Sequence, residues 1–187
     1  GRFIALLKQM GLAQFEQVVG VECDNTVYEA ACSRFASDSP PVDLRHMLVT
    51  SEAPLPYPVG HFDLCINAMN IVGWQSRPEA WLREMCRCSR NVFFTMYKRG
   101  NEQLRLDMYQ SRGHTLSSSG THIDMDGQIA LGDCDTLGGV VSRAFSKQEV
   151  MHICEQVGRE AGYDYTIDET TDQLLFLCWL AERRLTD

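Results

Sequence analysis

Gly1-Arg2-Phe3-Ile4-Ala5-Leu6-Leu7, followed at residues 18–22 by Val18-Val19-Gly20-Val21-Glu22, is the stretch on which the reading of the chain turns. The first run reads as the opening turns of a helix that starts on a glycine, and Gly11 after Met10 stops it. A valine-rich strand ending in an acid follows. In a nucleotide-binding βαβ unit, the acid at the tip of the second strand accepts hydrogen bonds from ribose hydroxyls, because an ionised carboxylate only accepts and can take two donors. Glu22 stands at that tip. Of the glycine-rich turn expected before the helix only Gly1 is present, so the sequence opens inside the motif. The strand that leads into that turn is expected upstream of Gly1.

Outward from this stretch, strands and helices alternate. Asp24 can cap a helix carrying Val27, Ala30, Ala31, Arg34 and Phe35, which ends before Pro40-Pro41. Residues 46–50 read as a third strand, with Glu52 at its carboxyl end. Ligands of open α/β sheets gather at the carboxyl ends of strands, so Glu22 and Glu52 are expected to face one crevice. A solvated loop acid is the plain alternative for Glu52. Residues 62–68 form an apolar fourth strand of the kind buried on both faces, and Asn67-Ala68-Met69-Asn70 follows at its end. Both asparagines also suit a simple turn.

Ser76-Arg77-Pro78-Glu79 is a capping-box pattern ahead of a helix striped by Trp81, Leu82, Met85 and Cys86. Residues 91–96 give a fifth strand with Tyr97 and Lys98 at its end. Ser146 to Glu149 opens the last major helix, whose Val150, Ile153, Cys154 and Val157 face the sheet, and Gly162 closes it. Strands at 163–167 and 174–180 complete the series. Such alternation predicts a three-layer α/β sandwich.

These residues resemble the class I S-adenosylmethionine-dependent methyltransferases. Gly1-Arg2-Phe3 is similar to the last glycine of that family's G-x-G-x-G loop and the start of its helix. Thr50-Ser51-Glu52-Ala53-Pro54-Leu55-Pro56-Tyr57-Pro58-Val59-Gly60-His61-Phe62-Asp63-Leu64 is similar to its G-D-A-x-x-L-P-F-x-x-x-x-F-D-x-V signature. The resemblance implies a Rossmann-like, mostly parallel seven-stranded sheet with an antiparallel last strand, in a single domain over residues 1–187. The family's first strand lies between the second and fourth. S-adenosylmethionine is the implied cofactor. Gly1, Arg2, Phe3, Glu22, Cys23, Glu52, Ala53, Asn67, Ala68 and Met69 are the implied cofactor-binding positions, with the acid at 52 on the adenine amino group and the Ala53 N–H at the ring. The turn at 67–70 would pass beneath the methionine part and face the acceptor. No N-P-P-Y-type motif is present, which argues against a nucleobase as acceptor. The K-P-G-G turn usual before the fifth strand is replaced by Cys88-Ser89-Arg90-Asn91.

Residues 97–145 are expected to be a substrate-binding insertion or lid, with a short helix from Glu102 to Tyr109 and mobile loops at Ser117-Ser118-Ser119-Gly120 and Gly138-Gly139. Asn70, Tyr97, Arg105, Tyr109 and Arg143 are candidate substrate residues, a mixture that suits a small polar or anionic acceptor. Tyr97 and Tyr109 also suit packing. A hydroxyl acceptor needs a base, and His114 or His122, with an ordinary pKa near ~6.5, is the candidate for it. Either equally reads as a surface loop histidine. The spacing His122-x-Asp124-x-Asp126 falls short of a metal-ligand set.

Composition bounds the partners. A formal net charge of −8 disfavours non-specific nucleic-acid or anionic-membrane binding, and no apolar run is long enough for a membrane span. Eight cysteines without a C-x-x-C pair or a histidine at ligand spacing exclude zinc-site and thioredoxin readings and fit a reducing cytoplasmic setting. The expected activity is methyl transfer to the oxygen or nitrogen of a small polar acceptor. Two rivals stand beside it: a catalytically silent methyltransferase-fold module serving a partner enzyme, and a nicotinamide-dependent oxidoreductase using Glu22 as its ribose acid. The Glu52-Ala53 pair and the Phe62-Asp63 strand oppose the latter.

Overall fold

The computed structural model describes residues 15–37, 42–68, 70–111, 128–131 and 140–183. The chain divides into two compact units, Gly1–Val49 and Thr50–Asp187. In the first, strand β1 (Val18–Glu22) runs parallel to β2 (Val42–His46), paired from Val18 opposite Val42 to Glu22 opposite His46. Helix α1 (Asn25–Phe35) joins them, and its cap is the one expected, with the Asp24 carboxylate accepting from Val27 N–H at 2.8 Å. The third strand expected at 46–50 is corrected to Val42–His46. The pairing partner of β1 is the alternating segment Val42-Asp43-Leu44-Arg45-His46, whose Arg45 and Asp43 share one face and form an ion pair. Period-two alternation here outweighs the continuous apolar run that follows it. The helix expected at the opening of the chain lies outside the described residues.

The second unit holds β3 (Cys65–Asn67), α2 (Ile71–Trp74), α3 (Pro78–Cys88), β4 (Asn91–Tyr97), α4 (Glu102–Ser111), β5 (Ile129–Leu131), β6 (Val140–Ser142), α5 (Lys147–Ala161), β7 (Tyr163–Glu169) and β8 (Leu175–Glu182). Its main sheet has the order β3-β4-β8-β7, with β5 and β6 forming a separate antiparallel pair. Strand β3 is parallel to β4, and β8 is antiparallel to both β4 and β7. The expected fourth strand at 62–68 shrinks to Cys65–Asn67, preceded by a single parallel bridge between Phe62 and Ser89. The architecture is a Rossmann-like α/β arrangement with a mixed sheet.

Two amphipathic helices supply much of the core. Trp81, Leu82, Met85 and Cys86 of α3 are buried, as are Val150, Ile153, Cys154 and Val157 of α5. They share the core with Val92, Phe94 and Met96 of β4 and Phe176, Cys178 and Leu180 of β8. Helix α5 has a complete capping box: Ser146 Oγ accepts from Glu149 N–H, and the Glu149 carboxylate accepts from Ser146 N–H. Gly162 ends that helix at φ 79°, a left-handed conformation that favours glycine. The capping box expected ahead of α3 does not form. Arg77 is the N-cap there and makes no side-chain cap, while Pro78 supplies the first turn.

The loop that precedes β3 is strapped to α3 by an ion pair. Glu84 accepts from Leu55 N–H at 2.6 Å and from Arg87 Nε at 2.9 Å, and Arg87 donates onward to Tyr57 O at 2.8 Å and Leu55 O at 3.0 Å. The Arg87 hydrogen bond holds the Glu84 carboxyl below its ordinary value. A depressed folded pKa stabilises the fold above the unfolded value near ~4.3 and loses that stability as pH falls through the folded value. Glu84→Gln is therefore expected to lose about 1–3 kcal/mol at neutral pH, the range for a charged hydrogen bond. In urea titrations the gap to wild type should close below pH ~4, where the wild-type carboxyl also protonates.

Candidate cofactor and acceptor site

In the first unit, the half-buried Glu22 ends β1. Its Oε1 accepts from Cys23 N–H at 2.9 Å and Asp24 N–H at 3.0 Å, leaving Oε2 with no protein partner among the described residues. The carboxylate is thereby oriented by backbone, with one oxygen still able to accept. Beyond it, His46 Nε2 lies 3.0 Å from Cys23 O, and the His46 ring stacks on Tyr28 with centroids 5.2 Å apart.

In the second unit, residues 50–53 form a loop fastened to the start of α3. Ser51 N–H donates to Gln75 Oε1 at 2.9 Å, and Ser76 Oγ lies 2.9 Å from Ser51 Oγ. Ser76 Oγ also donates to Glu52 Oε1 at 2.8 Å, which is why it does not cap α3. Arg77 stands 3.8 Å from Glu52 Oε2. The Glu52 side chain is about 60% exposed, so solvent weakens this pair while Ser76 fixes the direction of the carboxylate. Ala53 N–H reaches Thr50 O only at 3.5 Å.

The end of β3 is more enclosed. Asn67 is buried, and its Oδ1 has no hydrogen-bond partner among the described residues. Such an acceptor is costly to bury unless a ligand or water reaches it. Asn70 is fully buried with φ 64°, and its side chain is committed to the backbone. Its Oδ1 accepts from Tyr97 N–H at 2.9 Å and its Nδ2 donates to Arg143 O at 3.0 Å. Gly73 is required beside it, since a Cβ there would come within 2.4 Å of the Asn70 amide. Asn70 is thus a clamp between the ends of β3 and β4 and the chain after β6.

Three candidate substrate residues are closed to solvent. Tyr97, Arg105 and Tyr109 are 1%, 0% and 2% exposed, and the two tyrosines belong to a cluster with Leu106, Ile129 and Ala144. The Arg105 guanidinium lies 5.1 Å from the centre of the Tyr97 ring and donates to Ser142 O at 3.2 Å. Tyr109 Oη is 2.8 Å from Ser142 Oγ. Burial lowers the proton affinity of Arg105, though an arginine stays charged. Arg143 is half-buried, with Nη1 and Nη2 each 3.5 Å from Ser76 O. Gly1, Arg2, Phe3, Met69, His114 and His122 lie outside the described residues, as do Asp124, Asp126 and the loops expected at 117–120 and 138–139.

Gln75, Ser76, Thr95 and Ser142 tie these segments together and carried no sequence signal of that role; Ser76 read as a cap. Among the described residues no group of three His, Cys, Asp or Glu side chains is placed to hold a metal, and no helix is long and apolar enough to cross a membrane. The seven described cysteines are free thiols. Burial pushes Cys86 up to about 12 and Cys88 up to about 11, so both remain protonated and unreactive at neutral pH.

Residues 1–92 match the family model described as a methyltransferase domain. The first half of the chain, up to the start of β4, is thus similar to a methyltransferase domain. The solved structures similar to it share its Rossmann-like α/β fold. The PH0226 protein from Pyrococcus horikoshii is 14% identical with a TM-score of 0.60, the alignment covering 98% of this chain and 77% of that one. An S-adenosylmethionine-dependent methyltransferase from Clostridium acetobutylicum is 9% identical with a TM-score of 0.61, covering 95% and 80%. The N-terminal domain of EvdMO1, solved with S-adenosylhomocysteine bound, is 16% identical with a TM-score of 0.53, covering 94% and 69%. No curated protein matches the sequence significantly. Glu22, Glu52, Asn67 and Asn70 all fall within the residues matched by that family model.

Proposed function

We infer that the protein transfers a methyl group from S-adenosylmethionine to the oxygen or nitrogen of a small polar acceptor. The observation that carries this reading is that one methyltransferase-domain match spans three acceptors: Glu22 and Asn67, each the last residue of a strand, and Glu52, in a loop directed by Ser76. The buried Asn67 Oδ1 without a partner is the structural fit: it offers an acceptor to the amino group of the cofactor's methionine part. Glu22 would accept from the ribose hydroxyls. Glu52, directed by Ser76, would accept from the adenine amino group, with the Ala53 N–H at the ring. Gly1, Arg2, Phe3, Cys23, Ala68 and Met69 would line the rest. When bound, the sulfonium supplies an electrophilic methyl group.

What the chain itself contributes is position. Displacement at a methyl carbon needs the acceptor in line, and effective molarities of roughly 10⁵ M or more are available from orientation alone. The clamp made by Asn70 holds the end of β3 against β4 and the segment after β6, which fixes the acceptor side. A hydroxyl acceptor would give its proton to His114 or His122, whereas a neutral amine needs no base. In this reading residues 1–187 form one domain around a seven-stranded sheet, residues 97–145 form the acceptor-binding element, and the free thiols suit a reducing cytoplasm.

Burial of Tyr97, Arg105 and Tyr109 favours the second reading, a fold that binds the cofactor without turnover and serves a partner enzyme. Incubating the full-length protein with methyl-labelled S-adenosylmethionine and a panel of small polar acceptors separates the two. Label transfer to one acceptor class supports the enzyme; cofactor binding with none across the panel favours the silent module. In the same assay Glu52→Ala is expected to raise the KM for S-adenosylmethionine roughly tenfold, the loss of one charged hydrogen bond at an exposed position, with kcat little changed.

A further inference from the structure

We propose that the methyl acceptor carries a carboxylate or phosphate group, held by the Arg143 guanidinium in the groove lined by Arg99, Gln128, Arg143 and Glu149. The word acceptor rests on the methyl-transfer reading; the anion site stands on the groove. Its volume is about 370 Å³, room for a small charged group and part of the molecule that carries it. Ala144 and Phe145 complete the lining.

The groove is built onto the strand ends where the acceptor is expected. Arg143 N–H donates to Gly73 O at 3.3 Å, and Arg143 O accepts from the Asn70 clamp. Phe145 N–H donates to Tyr97 O at 2.8 Å, and Arg99 N–H donates to Phe145 O at 2.9 Å. Residues 143–145 therefore run along the carboxyl end of β4, and both arginines are carried by backbone fixed to the main sheet.

Charge points the same way. The whole chain has a formal net charge of −8, yet this groove sets two guanidinium groups against one carboxylate. That carboxylate is engaged: Glu149 accepts from Ser146 N–H at 2.6 Å and pairs with Arg99 Nη2 at 3.0 Å. Arg143, by contrast, approaches Ser76 O with both terminal nitrogens at 3.5 Å, the limit of a hydrogen bond to a neutral carbonyl. A carboxylate or phosphate would accept from the same two nitrogens as a bidentate pair at roughly 2.7–2.9 Å. Half-burial of Arg143 reduces the screening of that pair by salt.

The test uses the full-length protein labelled with ¹⁵N-arginine, with the Arg143 Nε–Hε resonance assigned by its loss in Arg143→Gln. Malonate, inorganic phosphate and malonamide are titrated separately at constant ionic strength set with sodium chloride. Malonate or phosphate should shift the Arg143 resonance saturably and malonamide should not; saturation by phosphate alone assigns a phosphorylated acceptor, by malonate alone a carboxylate. Arg143→Lys should bind the same anion roughly tenfold more weakly, keeping the charge and losing the fork. No saturable shift, an equal response to malonamide, or unchanged saturation at other arginines in Arg143→Gln overturns the proposal. S-adenosylhomocysteine binding by both variants serves as the folding control. Its absence in the wild type counts against the cofactor reading and leaves the anion titration to be read by itself.

Discussion

Asn70→Ala should lower the unfolding free energy by about 3–5 kcal/mol, among the largest losses any single polar side chain in this chain would cause. The substitution leaves the buried Tyr97 N–H and the Arg143 carbonyl without the partners that Asn70 provides. Each stranded group costs about 1–3 kcal/mol. Alanine at φ 64° adds a left-handed strain of about 1 kcal/mol that asparagine tolerates better. Spread over a chain of this length, the loss corresponds to a melting point lower by roughly 10 °C. Asn70→Gly relieves the strain and leaves both groups stranded, so it should recover only about 1 kcal/mol. Thermal unfolding of the two variants checks this, and a loss under ~1 kcal/mol for Asn70→Ala would mean that the clamp is not what joins these strand ends.

Glu22→Ala is expected to weaken S-adenosylhomocysteine binding roughly 100-fold. Two ribose hydroxyls on one carboxylate amount to two charged hydrogen bonds, each worth about 1.5–3 kcal/mol, part of which water restores in the variant. The folded state should tolerate the change, because Cys23 N–H and Asp24 N–H lie at the half-exposed tip of β1, where water can replace Oε1. Glu22→Gln, which keeps an acceptor oxygen without charge, should fall between the two. Calorimetric titration of each variant measures the loss, and an affinity within threefold of wild type in Glu22→Ala would remove the ribose role.

Local signals were the legible ones. The Asp24 cap, the Ser146–Glu149 capping box, the Gly162 stop and the stripes of α3 and α5 each depend on residues within a few positions of one another, so a linear reading meets their physics directly. Strands β4 and β8 were legible because continuous apolar runs suit strands buried in a sheet centre. Where a side chain has two partners to choose from, sequence does not decide. Ser76 has the right spacing to cap α3 and is drawn instead to Glu52, a partner 24 residues away. Tyr97, Arg105 and Tyr109 carry the polarity of ligand-facing residues, yet they bury together over Ser142, with the Arg105 charge resting on an aromatic face. Of the candidate site, the places of Glu22 and Asn67 at strand ends followed from the βαβ pattern, whereas Glu52, expected at the end of a strand over 46–50, lies in a loop held by Ser76. The orientation of each by Cys23, Ser76 and the surrounding burial required the fold.

Whether this fold serves S-adenosylmethionine is read from calorimetric titration of S-adenosylhomocysteine into the folded, full-length wild-type protein, with NAD⁺ titrated in parallel. Micromolar binding of S-adenosylhomocysteine at one site, with NAD⁺ much weaker, is the result predicted. No binding by demonstrably folded protein, or tighter binding of the dinucleotide, would contradict the account.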